Sequence, residues 1–263
     1  MEIKKIRKKG KLYQVEFDDE RVFSWHENVI INHQLIRPKK VVNEKDLTVF
    51  EEENNYYLAI DKAIKYLSEL RSKKQVKTYL NKYFDKMIVN RTIKYLEEKK
   101  LIEERHYCES FLDYAYRNNR GYLWIKNALK DEEISINIID EVLSSYTKEM
   151  QLEACSRAYL KQMILYKKEN FYGFNAKMRV FLINRGFNDE IITTTLEKHR
   201  NLLDNIIDDE KAFIKAFDRY FLKHSKSYQG RELETRMIRS LYPKGFSIEK
   251  IKNEIERREK NDS

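Results

Sequence analysis

The residue types that most often carry catalysis are present in this sequence, but not in a catalytic pattern. There is no phosphate-binding loop ending in Gly-Lys-Ser/Thr, and no Gly-x-Gly-x-x-Gly, His-Glu-x-x-His or Gly-x-Ser-x-Gly motif. The five histidines are scattered, and none has a Cys or His partner at metal-ligand spacing. The acidic pairs Glu103-Glu104 and Asp208-Asp209 precede helical patterns, where negative charge favours a helix N-terminus. We therefore expect no enzymatic activity, no cofactor and no bound metal.

The two cysteines, Cys108 and Cys155, form neither a CxxC motif nor a disulfide framework. Cys108 is expected to be a buried core thiol. This cysteine usage fits the reducing cytoplasm. No signal-peptide pattern follows Met1, and no apolar run approaches the ~18 residues of a membrane span. The sequence therefore predicts a cytoplasmic protein without membrane contact.

Basic side chains are the groups most able to bind a ligand. Lys and Arg number 52 against 43 Asp and Glu, a formal charge of +9, and the excess lies in residues 58–263. Such a basic body suits a polyanion or an acidic protein surface. The alternative is a set of ordinary solvated lysines at helix ends. The candidate basic strip comprises Arg71, Lys73, Lys74, Lys77, Lys82, Arg117, Arg120, Lys126 and Lys130.

Three aromatic residues near these cations, Tyr116, Tyr122 and Trp124, are candidates for stacking on nucleic-acid bases. The alternative for each is a place in the core, because aromatic residues at helical spacing are common there.

The elements that must position these residues are mostly helical, because the chain has only 6 Gly and 2 Pro. The first 25 residues are the exception. Apolar residues alternate on both sides of the acidic turn 18–20, and Ile3 and Ile6 add a third strand, which predicts a small β-meander or hairpin. A covering helix is expected from Glu27, followed by a connector over residues 39–55.

The helical body repeats itself. From Leu129, apolar residues follow at offsets of five, ten and fourteen (Ile134, Ile139, Leu143), and the same offsets recur after Leu182 (Phe187, Ile192, Leu196) and Leu241 (Phe246, Ile251, Ile255). A first copy begins at Leu80, with slightly different spacing and with Tyr83-Phe84-Asp85 in place of Gly-Phe. A further helix is expected before each pair, over residues 57–70, 105–119, 152–168 and 208–224.

Two of the copies share a basic-Gly-Phe turn, at Arg185-Gly186-Phe187 and Lys244-Gly245-Phe246. Gly186 and Gly245 are expected in the left-handed conformation that ends a helix, with Asn188 and Ser247 capping the next helix. We predict an N-terminal β unit and connector (1–55) and four three-helix modules (56–102, 103–149, 150–201, 202–263). Such modules stack on their neighbours, which predicts an elongated, curved array.

These residues carry a family resemblance. Residues 101–108, Leu-Ile-Glu-Glu-Arg-His-Tyr-Cys, resemble the Leu-Ile-(Asp)-Asp-Glu-Arg-Phe/Tyr-Ala signature of the RecX family, in which the first Asp is optional; this family comprises the modulators of the RecA recombinase. Asn119-Arg120-Gly121-Tyr122 and Ile125–Leu129 resemble that family's Arg-Gly-Pro-x-x-Ile-x-x-x-Leu element, with Tyr122 in place of Pro. Residues 22–29 are similar to the β-meander end of longer members.

The resemblance implies a non-enzymatic protein of DNA repair, homologous recombination and the SOS response. Its modules would lie in the groove of the RecA filament on single-stranded DNA and inhibit ATP hydrolysis, strand exchange and co-protease activity. We expect a monomer with weak, sequence-independent affinity for single-stranded DNA. Two alternatives remain open: a helix-turn-helix nucleic-acid binder that acts without RecA, and an α-solenoid adaptor for another protein.

Overall fold

The computed structural model describes residues 1–37, 40–166, 169–203 and 207–261. The chain divides into two compact units, one of residues 1–110 and 129–142 and the other of residues 111–128 and 143–263. The division passes through the predicted second module, so the module boundaries stay a prediction. The fold is mainly α-helical with one small antiparallel sheet, as the sequence predicts.

The first unit begins with a meander of three strands, β1 (Ile3–Lys9), β2 (Leu12–Phe17) and β3 (Val22–His26), in the order β1-β2-β3. The predicted third strand is confirmed. Val15, Phe17 and Trp25 are fully buried on one face of the sheet, because alternate residues of a strand point to the same side.

The helix that covers this sheet is not the predicted one. Helix α1 (Glu27–Asn32) begins at the predicted residue but has only six residues. The main cover is α2 (Glu44–Tyr66), where Phe50 packs edge-on against Trp25 at 5.3 Å between ring centroids. The connector prediction is therefore wrong for residues 44–55, and residue 39 lies outside the described ranges. Asn43 begins α2 with a capping box to Asp46, a signal that sequence reasoning passed over.

Together with α2, the remaining helices of the described residues form four triplets, with one additional helix of four residues after the third triplet. They are α3 (Lys73–Leu80), α4 (Lys86–Glu98), α5 (Glu104–Arg117), α6 (Tyr122–Asp131), α7 (Ile136–Leu143), α8 (Lys148–Tyr166), α9 (Phe171–Asn184), α10 (Asp189–Lys198), α11 (Arg200–Leu203), α12 (Asp209–His224), α13 (Gly230–Leu241) and α14 (Ile248–Asn261), with a 3-10 turn at Tyr242–Lys244. The four predicted leading helices correspond to α2, α5, α8 and α12. The last two residues of the predicted range 152–168 lie outside the described ranges.

Burial follows the repeat. The four anchors Leu80, Leu129, Leu182 and Leu241 are all fully buried. After Leu129, Leu182 and Leu241, the residues at offsets of five, ten and fourteen are buried as well, except Leu196, which is half-buried. Equivalent positions therefore have equivalent environments, as expected of tandem repeats. In the described part of the chain, no helix is both long and apolar enough to cross a bilayer.

Candidate functional site

The basic-Gly-Phe turn between α9 and α10 makes a close backbone contact with the start of α6. Gly186 has φ +86°, the predicted left-handed conformation. The N–H of Gly121 donates to the carbonyl of Arg185 (2.8 Å), and the N–H of Leu123 donates to the carbonyl of Gly186 (3.0 Å). These are N–H groups that the first turn of a helix leaves without an internal partner. We call such a contact, between one turn and the N-terminus of an earlier helix, a joint.

A second joint has the same design. Gly245 has φ +88° and ends the 3-10 turn after α13. Asn170, the N-cap of α9, donates from Nδ2 to the carbonyl of Lys244 (2.7 Å), while its Oδ1 accepts from the N–H of Gly173 (2.8 Å). The turn of one helix triplet again meets the N-terminus of the middle helix of the triplet before it.

The third joint lies in the other unit and uses side chains in place of glycine. The Glu132 carboxylate accepts from Ser72 Oγ, at the N-cap of α3, and from Gln75 Nε2 (2.8 Å). Lys74 Nζ donates to the carbonyl of Asp131 (2.7 Å). Glu133 takes the left-handed conformation at φ +62°, where the other two joints have Gly.

Two arginines outside the predicted strip hold the end of α5. Arg157 donates from Nε to Asn119 Oδ1 (2.8 Å) and from Nη2 to the carbonyl of Tyr116 (3.1 Å). Arg185 donates from Nη1 to the carbonyl of Asn118 (2.9 Å). Sequence reasoning missed both roles, although Arg185 belongs to the basic-Gly-Phe turn that it singled out.

Three of the predicted strip residues in the first unit bind other residues of this chain. The Arg71 guanidinium lies 4.6 Å from the Tyr66 ring centroid and pairs with the Glu69 carboxylate. Lys73 pairs with Glu97. Lys74 belongs to the joint described above. These three cations therefore have internal partners that reduce their availability to a ligand.

The other strip residues of the first unit, Lys77, Lys82 and Lys130, are exposed. Among the described residues, their ammonium groups make no ion pair or hydrogen bond. Lys74 and Lys82 line one shallow depression of about 240 Å³ together with Asp131 and Glu132. Of the predicted strip residues in this unit, therefore, Lys77, Lys82 and Lys130 are left free for a ligand.

Three strip residues of the second unit also contact side chains of nearby helices. Arg117 pairs with Asp113 one turn earlier (3.2 Å). Arg120 lies 4.4 Å from the Trp124 ring centroid, and Lys126 lies 5.7 Å from the Tyr122 ring centroid. Whether all nine cations form one continuous strip stays a prediction, because they belong to two separately described units.

The three candidate stacking rings are all partly buried. Trp124 stacks on Phe111 at 5.8 Å between centroids, in addition to its contact with Arg120. Tyr116 donates from its hydroxyl to Glu153 (2.5 Å) and packs beneath Arg157. Tyr122 is the first residue of α6. Stacking on bases therefore stays a prediction for all three rings, and for Trp124 and Tyr116 it competes with internal contacts.

The buried thiols have a core environment. Burial raises the pKa of both Cys108 and Cys155 to about 11, so both thiols are protonated at neutral pH. The core-thiol prediction for Cys108 is confirmed. Within the ranges that the structure covers, no three His, Cys, Asp or Glu side chains are grouped as metal ligands.

Comparison with known proteins shows a resemblance that covers most of the chain. The chain is 26% identical to the regulatory protein RecX of Streptococcus mutans over 261 residues, which cover 97% of this chain and 98% of that protein. It is 29% identical to the regulatory protein RecX of Bacillus cytotoxicus over 238 residues, covering 89% and 86%. The chain is similar to these RecX proteins over most of its length. No protein-family model matches it.

Two solved structures share the fold. One is a crystal structure of regulatory protein RecX, with a TM-score of 0.63, 22% identity and coverage of 74% of this chain and 98% of that one. The other is RecX from Lactobacillus salivarius, with a TM-score of 0.50, 25% identity and coverage of 59% and 99%. In this chain, the Arg-Gly element that resembles the RecX pattern has a structural role, since Gly121 is part of a joint.

Proposed function

We propose that this chain binds the filament formed by the RecA recombinase on single-stranded DNA and inhibits its ATP hydrolysis, strand exchange and co-protease activity. It would thereby act in homologous recombination, DNA repair and the SOS response, as a cytoplasmic, non-enzymatic regulator. Its relatives are named regulatory proteins, and the family resemblance supplies RecA as the partner.

The observation that carries this proposal is the recurrence of the joint. A contact between a turn and the N-terminus of an earlier helix occurs at Glu132, Gly186 and Gly245, so a related contact recurs between successive triplets. A nucleoprotein filament presents equivalent sites at a regular interval. When linked modules each make a weak contact, the first contact raises the effective concentration of the others, and the overall affinity exceeds that of any single module. Such binding suits inhibition by few copies of the protein per filament.

The helix-turn-helix alternative fits the joints poorly. In that motif, the N-terminal residues of the recognition helix contact base edges. Here the turns that lead into α7, α10 and α14 are engaged in joints, and at Gly186 the turn backbone is bonded to the start of α6. The first triplet, whose turn runs through Tyr83 and Phe84, has an exposed Tyr83 and lacks such a contact among the described residues.

A titration of RecA ATPase on single-stranded DNA tests the proposal. We expect inhibition at fewer than one copy per RecA, with weaker binding to DNA when RecA is omitted. Tight, sequence-specific duplex binding without RecA, together with no effect on the ATPase, would support the helix-turn-helix alternative. If the protein neither inhibits the ATPase nor binds duplex DNA, the adaptor alternative remains. In that case we expect that affinity capture from a cell extract recovers other proteins but not RecA.

A further inference from the structure

The N-terminal sheet has a cationic face of its own. Five of the six residues from Lys4 to Lys9 are basic, but the balanced charge of residues 1–57 directs sequence reasoning away from them. Lys4 pairs with Glu16 (3.8 Å) and Lys8 with Glu27 (3.6 Å). The alternate residues Lys5, Arg7 and Lys9 are exposed, and their side chains have no ion-pair or hydrogen-bond partner in the described part of the chain.

The strand geometry arranges these three cations in a row. Arg7 lies opposite Gln14, and Lys5 lies opposite Glu16, the acidic residue of this face. A shallow cleft of about 190 Å³ on this face is lined by Lys5, Arg7, Gln14, Glu16 and Val22. Val15, Phe17 and Trp25 are buried on the other face, so the cleft is on the side away from the core. Side chains two residues apart on a strand are about 6.6 Å apart, which makes the row about 13 Å long.

We propose that this face binds the phosphate backbone of DNA, independently of the predicted basic strip. Each strand of a duplex carries one phosphate per about 3.4 Å of helix axis, so a 13 Å row faces about four phosphates of one strand. Because no aromatic residue belongs to the Lys5, Arg7, Gln14, Glu16 and Val22 set, the face can neutralise phosphates but cannot stack on bases. It should therefore bind duplex and single-stranded DNA without sequence preference.

Other anionic partners fit this face less well. A protein interface needs a desolvated apolar or aromatic centre for most of its binding energy. An interfacial membrane segment needs apolar side chains that enter the acyl boundary. Val22, 53% exposed, is the apolar side chain that lines the cleft. A polyanion needs only spaced, solvated cations, and the cleft supplies these.

The test is DNA binding without RecA, measured by fluorescence anisotropy on a duplex and a single strand of equal length over a salt series. The variant is the triple substitution Lys5→Gln, Arg7→Gln and Lys9→Gln. Its matched control, Lys94→Gln, Lys148→Gln and Lys252→Gln, changes the net charge equally at exposed lysines that are ion-paired. Because the three residues substituted in the test variant are exposed, its melting temperature should equal that of the parent.

We expect the sheet variant to bind duplex DNA at least about tenfold more weakly near 0.1 M salt. The plot of the logarithm of the association constant against the logarithm of the salt concentration should be less steep by about 2 to 3. The control variant should show less than half of that change in slope.

Equal losses in the two variants would overturn the proposal, as would the absence of DNA binding by the parent. Binding to phosphatidylserine vesicles that the sheet variant loses, with unchanged DNA binding, would also overturn it and indicate a membrane face. RecA ATPase inhibition is a separate readout, so failure of the proposed function would not imply failure here.

Discussion

The backbone N–H of Gly121 donates to the carbonyl oxygen of Arg185 at 2.8 Å, across 64 positions of sequence. A Cβ at Gly121 would lie 2.3 Å from the carbonyl carbon of Gly186, so the two backbones meet with no room for a side chain. The Arg-Gly element after α5 and the basic-Gly-Phe turn after α9 are two separate motifs in the sequence. In the fold they are the two halves of one joint.

Replacing Gly186 by Ala should lower the free energy of unfolding by about 2 to 4 kcal/mol. An added Cβ would lie 2.2 Å from the backbone nitrogen of Trp124, and φ is +86°. The control is Gly10→Ala, where φ is +68° but no atom lies within 4 Å. That variant should lose about 1 to 2 kcal/mol, the cost of the backbone conformation alone. Urea unfolding measures both, and equal losses would argue against a tight joint.

Replacing Glu133 by Gly should raise the free energy of unfolding by about 1 kcal/mol. Glu133 has φ +62°, a conformation that Gly adopts without a Cβ penalty, and its pair with Lys74 is exposed. The neighbouring change Glu132→Gly should instead cost about 1 to 3 kcal/mol, because it removes the acceptor of Ser72 and Gln75. A lower melting temperature for Glu133→Gly would contradict this account of the joint.

Reversing charge at Lys77, Lys82 and Lys130 together, by substitution with Glu, should weaken inhibition of RecA ATPase about tenfold or more and flatten its salt dependence. These lysines have no internal partner in the described ranges. Lys73 and Lys74 do, so a change at either would mix binding with stability. The triple Glu variant of Lys94, Lys148 and Lys252 is the charge-matched control. Unchanged inhibition by the first variant across the salt series would exclude these lysines from the RecA surface.

The melting temperature should fall as the pH drops below about 6.5, partly because of His199. Burial, followed by the charge of Lys198, lowers the pKa of His199, whose ring stacks on Tyr159 at 5.0 Å. A histidine with a lowered pKa in the fold stabilises it above the unfolded-state pKa, and that stability is lost as the pH falls through the folded value. His199→Phe, which keeps a ring but takes no proton, should reduce the fall. The control is His106→Gln, at an exposed position, which should leave the fall of the melting temperature unchanged.

Local sequence signals predicted the elements correctly wherever one interaction decides the structure. Gly186 and Gly245 are left-handed, and Asn188 caps α10 by accepting from the N–H of Ile191 at 2.9 Å. The start of α2 was not predicted, because its N-terminal half is held by packing of Phe50 on Trp25 as well as by its cap. That contact spans 25 positions, which local periodicity does not report.

By itself, the sequence determined the helical class, the β-meander, the fourfold apolar repeat and the family resemblance, because each depends on residue type and on spacing along the chain. Only the tertiary structure decided which cations are free. Lys74 and Lys77 have the same charge and lie one helical turn apart, yet Lys74 is bonded to the carbonyl of Asp131 and Lys77 is exposed without a partner in the described residues. That difference comes from a turn more than fifty positions away, and such long-range partners are set by packing.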